Sequence, residues 1–346
     1  MTTTGEALER EVAERGALHR GTARLGQLWL RVVCEERAWC DAILAIFRTE
    51  PGQHGEVPCG EDVLDVSVWK VARDATGLVD APEDALVVQR GEEPGSWVLA
   101  SDALTAHVFL EAHEGRRAVS RAFFRIRAEW ADRPVDEGFR VHLSVALHKT
   151  LLLAERVFLH AAGVRLGDRT AVFVGDKGAG KSTISLTLGA AGGAVLGDDH
   201  VVLRRNGARF LAAGCDSHAR VTRKTEEHFF AGALEGRVLE LAGVRKVEFP
   251  VGRHFASDPY REHPIDRLVF SSVRERFRVE PLAKHRALLL LIEATRTSHR
   301  FSGPRDYGEY LDYFSDLVDS VETYVLDLSP DLADLTRLAA WMRDGH

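Results

Sequence analysis

The chain has 346 residues, length for about two domains and a sizeable core. Hydrophobic residues make up 45% and charged residues 28%, and 30 glycines with 11 prolines are ordinary usage, which excludes collagen-like and low-complexity chains. With 52 acids against 45 Lys and Arg the net charge is −7, so the basic footprint of a nucleic-acid binder is missing.

The opening stretch, MTTTGEALEREVAERG, is polar and acidic, the wrong chemistry for a signal or transit peptide. Residues 1–20 are expected to form a short acidic helix or to stay loose. Gln27–Cys34 is apolar and β-leaning. Glu35 and Glu36 then open a helical pattern through Ala38, Ile43 and Phe47, with the acids suited to the positive end of the helix dipole. That helix should end before Pro51, and residues 51–62 read as loop. Alternating runs at 66–73, 85–90 and 96–100 predict strands separated by Gly77, Pro82, Gly91 and Pro94. Residues 104–113 and 118–130 are ambiguous between strand and helix. Residues 21–135 are therefore expected to form a small mixed α/β domain, in which Trp29, Trp39, Trp69 and Trp97 are core residues.

Pro134–Glu137 reads as a boundary, with a second domain over 136–346. Val141–Ala154 has helical periodicity. Its His142 and His148 do not share a helix face and make a poor metal pair. Residues 156–168 predict a strand and a turn at Gly167-Asp168, and Thr170–Gly175 a short apolar strand. A helix follows at 181–192, and two short strands flank Asp198. Continuous apolar strands alternating with helices point to a largely buried sheet. Later strands are expected at 245–251, 265–273, 277–282 and 321–329, and helices at 286–295, 307–320 and 332–342. Leu288–Ile292 reads as buried helix, not membrane. No stretch reaches the roughly 18 to 20 unbroken apolar residues of a membrane span. Cys34, Cys40, Cys59 and Cys215 lack a C-x-x-C pairing and read as reduced thiols, which suits a cytoplasmic location.

Residues 175–182, GDKGAGKS, carry the chemistry. They match G-x-x-x-x-G-K-[ST], the Walker A phosphate loop, with Gly175, Gly180, Lys181 and Ser182 at the defining positions. The mechanism demands a preceding strand and a following helix, and both are predicted here. Glycines let successive N–H groups converge on phosphate oxygens, and the helix N-terminus adds partial positive charge. Lys181 would reach the β and γ phosphates and the Ser182 hydroxyl would sit on Mg²⁺. The loop as a whole, Gly175, Asp176, Lys177, Gly178, Ala179, Gly180, Lys181, Ser182 and Thr183, is the expected nucleotide-binding segment. Asp198-Asp199 ends an apolar strand beyond it. One carboxylate can hold Mg²⁺ and the other can accept the proton of an attacking hydroxyl. His160, ahead of the loop, is a third candidate if a neighbouring strand brings it to the phosphates. Arg220, Arg223 and Lys224 form a small basic cluster that reads as a solvated loop, and Arg245 and Lys246 are similar.

HAAGV, GDKGAGKST and LGDDHVVL, at these spacings, resemble the HPr kinase/phosphorylase catalytic domain, whose fold is similar to phosphoenolpyruvate carboxykinase. The close match covers residues 158–205. The resemblance implies an α/β fold with a P-loop catalytic domain of this kind, preceded by the smaller mixed α/β domain. It also implies a Ser/Thr kinase using ATP and Mg²⁺, with Lys181 on phosphate, Ser182 and Asp198 at the metal, Asp199 as proton acceptor and His160 as the active-site histidine. Arg267 falls near that family's active-site arginine. The chain departs from the pattern in several places. The glycine- and isoleucine-rich stretch that follows the Asp pair in that family is not visible. Its metal-binding Glu has no clean counterpart, although Glu226 and Glu227 lie nearby, and Lys177 stands where a small residue is usual. HPr itself and a phosphorylase back-reaction are therefore not implied. The acceptor is a hydroxyl on a peptide, protein or small molecule, a ribosomal peptide among the candidates, and a homo-oligomer stays open. Two alternatives remain. One is a nucleotide-binding switch or partner protein without phosphotransfer. The other is a small-molecule kinase or carboxykinase-like enzyme.

Overall fold

The computed structural model describes residues 4–16, 18–47, 62–72, 75–81, 85–113, 116–241, 243–295, 307–329, 331 and 335–344. Two compact units divide the chain: Met1–Val157 with Arg296–Leu311, and Phe158–Thr295 with Asp312–His346. Both mix helices and strands, so the fold class is α/β with several sheets.

The first unit opens with α1 (Thr4–Ala13), β1 (His19–Leu25), β2 (Leu28–Cys34), α2 (Arg37–Ile46) and β3 (Asp62–Val71). Then come β4 (Val87–Arg90), β5 (Ser96–Ala100), β6 (Leu104–His113), β7 (Arg116–Arg127), α3 (Ala128–Ala131) and α4 (Glu137–Leu153). The two ambiguous segments are thus mainly strand. Their seven-stranded sheet runs β1-β2-β3-β7-β6-β5-β4, with β3 parallel to both β2 and β7. Side chains alternate across it. Trp69, Val71, Phe109 and Phe123 form a cluster with Leu8 of α1, out of phase with the buried Val66 and Val68. Glu36 is the N-cap of α2 without a side-chain cap bond, while Glu35 is used in tertiary contacts, accepting from Lys70 N at 2.8 Å and from Arg15. The expected boundary at Pro134–Glu137 falls inside this unit. Asp136 caps α4 by accepting from Phe139 N at 2.9 Å, and Phe139 packs on Trp39 and Trp130. His142 lies 3.2 Å from Asp102 and His148 is buried against Ser144, so the two imidazoles point to separate partners. The loop expected over 51–62 lies almost wholly outside the described residues, as does Cys59. Cys34, Cys40 and Cys215 are buried and in no disulfide.

The second unit continues from β8 (Arg156–Leu159) with β9 (Ala161–Leu166), β10 (Arg169–Val174), α5 (Lys181–Ala190), β11 (Ala194–Gly197), β12 (Val201–Asn206) and β13 (Arg209–Gly214). Next are β14 (His218–Thr222), α6 (Arg223–Phe230), β15 (Arg237–Leu241), β16 (Val244–Pro250), β17 (His263–Pro264) and β18 (Arg267–Val273). Last are β19 (Arg278–Pro281), α7 (Lys284–Ala294), α8 (Tyr307–Ser320), which belongs to this unit from Asp312 onward, β20 (Glu322–Leu328) and α9 (Leu335–Asp344). A six-stranded sheet of order β11-β9-β10-β18-β20-β19 is the spine. β9 is antiparallel to both β10 and β11, while β18 is parallel to both β10 and β20. Phe173, Ile184, Leu188, Val269 and Leu326 are fully buried between sheet and helices, joined by Leu338 and Met342 of α9. A four-stranded sheet, β17-β13-β12-β8, and a three-stranded one, β14-β16-β15, complete the topology.

Two expectations are corrected here. The stretch around Arg220, Arg223 and Lys224 is strand followed by helix, because Ala219 and Val221 enter a buried cluster with Val247 and Phe249. Helix α7 is not buried throughout Leu288–Ile292: Leu289 is 66% and Leu290 42% exposed, Leu288 and Ile292 are half-buried, and within the helix only Ala287 and Leu291 are buried. Among the described residues no helix is long and apolar enough to cross a membrane.

Candidate functional site

The site grows out of the order β11-β9-β10. Because β9 runs against both neighbours, the start of β9 and the ends of β10 and β11 share one sheet edge. Val174 pairs with Ala161, and Gly197 with Gly163. His160, the loop from Gly175 and the pair Asp198-Asp199 therefore emerge side by side. Adjacent strands lie about 4.8 Å apart, so these three groups leave the sheet within about 10 Å of one another across it.

Local chemistry explains the loop. β10 is apolar and buried through Val174, and α5 starts at Lys181. Gly180, the N-cap of α5, has φ +85°, and a Cβ there would come within 2.5 Å of Leu328 Cδ1. Gly175 is needed for a different reason: its Cβ would lie 2.6 Å from the Ser271 carbonyl oxygen and 2.7 Å from Ala179 Cβ. Asp176, Lys177 and Gly178 lie at the crown, all three exposed. Lys181 is buried and folds back over the loop, its Nζ donating to the carbonyls of Gly175 at 2.6 Å and Asp176 at 3.1 Å. Ser182 and Thr183 are half-buried in the first turn, and Thr183 Oγ1 lies 3.5 Å from Thr225 Oγ1 of α6.

The two acids have different surroundings. Asp198 is buried at 2% exposure. Its Oδ1 accepts from the Ser185 hydroxyl of α5 at 2.6 Å, and its Oδ2 from Arg220 N of β14 at 3.2 Å. Asp199 is more open, and its Oδ1 lies 3.1 Å from His160 Nδ1. The His160 side chain is 45% exposed, and its ring stands 5.8 Å from that of His200, which stacks on Phe158 at 4.7 Å. A glycine loop at a helix N-terminus supplies converging N–H donors and positive potential for phosphate. Ser182, Asp198 and Asp199 contribute hard oxygen donors, which fit Mg²⁺. Among the described residues no group of three or more His, Cys, Asp and Glu is placed to hold a metal alone. Mg²⁺ in phosphate sites takes one or two carboxylates and completes its shell with phosphates and water, so these residues fit that manner of binding.

Arg267 is the one candidate kept away from this edge. It begins β18 and pairs with Ala171, four residues before Gly175 and so about 13 Å back along the strand. Its guanidinium is buried at 1% exposure. It donates to the Trp341 carbonyl at 3.1 Å and to Glu322 Oε2 at 3.2 Å, and it lies over the Trp341 ring. Arg220 holds Glu248 at 2.6 Å, whereas Arg223 pairs with Glu227 on exposed α6, so these cations do not form one patch. Glu226 is buried in α6 and Glu227 is exposed. Ser185 and the backbone N–H of Arg220 had no signal in the sequence beyond the position of Ser185 one turn after Ser182.

No protein-family model matches the chain, and no curated protein matches it. Among solved structures it is similar to the Hpr(Ser) kinase/phosphatase from Coxiella burnetii. That likeness has 12% identity and a TM-score of 0.31, and it covers 54% of this chain and 89% of that one. A similarity this slight decides nothing, and the functional reading stands on the residues of this chain.

Proposed function

We propose that the protein is an ATP- and Mg²⁺-dependent kinase that transfers the γ-phosphoryl group to a hydroxyl of a peptide, protein or small molecule. The observation that carries this reading is the shared sheet edge, with a glycine loop on one strand and the His160–Asp199 pair, 3.1 Å apart, beside it. In this reading the loop amides and the α5 N-terminus hold the β and γ phosphates. Lys181 exchanges its carbonyl partners for phosphate oxygens, and exposed Lys177 adds a second cation at the rim. The Ser182 hydroxyl and Asp198 would hold Mg²⁺, which would neutralise phosphate charge when bound. Asp199 receives the acceptor proton as the acceptor oxygen bonds to the γ phosphorus. The bond from that phosphorus to the β–γ bridging oxygen breaks, and its electron pair leaves with ADP. His160 orients the Asp199 carboxylate. Acceleration then comes from positioning and charge stabilisation.

The test pairs calorimetry with phosphoryl transfer from γ-labelled ATP to peptide, protein and small-alcohol pools. Asp199→Asn is expected to keep ATP binding and to lower transfer by about 10²-fold or more, the range of general-base catalysis. Near-full activity in Asp199→Asn removes Asp199 from the mechanism. Tight nucleotide binding by the wild type with no transfer to any pool favours a nucleotide switch instead.

A further inference from the structure

Ser185 is fully buried on α5, one turn beyond Ser182. Its Oγ lies 2.6 Å from Asp198 Oδ1 and 3.0 Å from the Ser182 carbonyl oxygen. A hydroxyl has one proton to give, and the shorter contact to a carboxylate is the stronger claim on it. The other Asp198 oxygen accepts from Arg220 N, and the Arg220 side chain is itself held on Glu248 at 2.6 Å. Asp198 is thus clamped between α5 and β14. At 2% exposure it has little water to replace a lost donor, and an unsatisfied buried carboxylate is costly.

From this geometry we infer that Ser185 is a positioning residue of the phosphate site. Its hydroxyl fixes the direction in which Asp198 presents its remaining lone pairs, and so sets where Mg²⁺ or its water sits relative to Ser182. The inference rests on the kinase reading of the same site. It gives the two acids separate roles, with Asp198 immobilised for the metal while Asp199, with His160, stays open to the acceptor.

The test measures ATP affinity calorimetrically with and without Mg²⁺ in the full chain. Outer partners that orient a metal's ligands typically contribute 10- to 100-fold in metal affinity. Ser185→Ala is therefore expected to lower the Mg²⁺-dependent gain in ATP affinity by about 10-fold, with metal-free ATP affinity within about twofold of wild type. In an Asp198→Asn background the same change should add almost nothing, because coupled residues are not additive. Equal losses with and without Mg²⁺ mark a packing role and overturn the inference, and so does an unchanged Mg²⁺ gain. If the wild type binds ATP under neither condition, the kinase reading fails and takes the inference with it.

Discussion

At the scale of single residues, Gly180 is where the loop's backbone conformation and its packing coincide. Its φ of +85° is strained for any side chain, and a Cβ would meet Leu328 at 2.5 Å. Gly180→Ala is expected to lower stability by about 1–3 kcal/mol, the cost of a non-glycine residue held in this region, and to weaken ATP binding as the α5 N-terminus shifts. Denaturant unfolding and calorimetry read the two effects separately, and a fully stable, fully binding variant would contradict this account of the loop. The acidic pair shows how neighbouring residues of one type diverge. Asp198 is buried with two donors, while Asp199 faces an exposed histidine. The sequence shows two adjacent carboxylates, and only the fold gives them different surroundings.

At the scale of elements, strand direction makes the site. A glycine loop after β10 is local information, readable from an apolar run, a cluster of glycines and a helical pattern. Its meeting with His160 and the acidic pair depends on β9 lying antiparallel between β10 and β11, a choice made by long-range pairing. Short edge elements were the least legible. β15 is only five residues long and largely exposed, so its alternation is too short to mark a buried face. Arg267 belongs to this scale too, because it ties β18 to the carbonyls of Trp341 and Met342 in α9. Arg267→Met should cost about 1–3 kcal/mol by orphaning those carbonyls and should speed amide exchange in α9, while ATP affinity stays near wild type. If ATP affinity collapses with stability intact, Arg267 acts in the site after all.

At the scale of the whole molecule, stability should depend on pH through a residue outside the glycine-rich loop. Burial in α4 pushes His148 from 6.5 down to about 4, and burial lowers His107 as well. The unfolded chain takes up a proton on His148 below about pH 6.5, whereas the folded chain refuses it until about pH 4. Folding stability should therefore fall as pH drops through this window, by about 3 kcal/mol from His148 alone, and be fully present above it. Urea unfolding at pH 4.5 and pH 7 measures the loss, and His148→Gln should remove most of it. An unchanged slope in that variant would place the titrating group elsewhere.

The residues alone determined the glycine-rich loop, the strand and helix that frame it, most of the later strands and the α/β class, because each is written in periodicity and turn chemistry within a few neighbouring positions. Tertiary structure decided the rest. It placed α4 with the first unit through Phe139, Trp39 and Trp130, exposed Leu289 and Leu290, and kept Arg267 at the far end of β18. It also joined Ser185 to Asp198 and His160 to Asp199. These contacts link residues separated by many positions, and burial and strand order, which no local window contains, select them from all the pairs that the same residues could form.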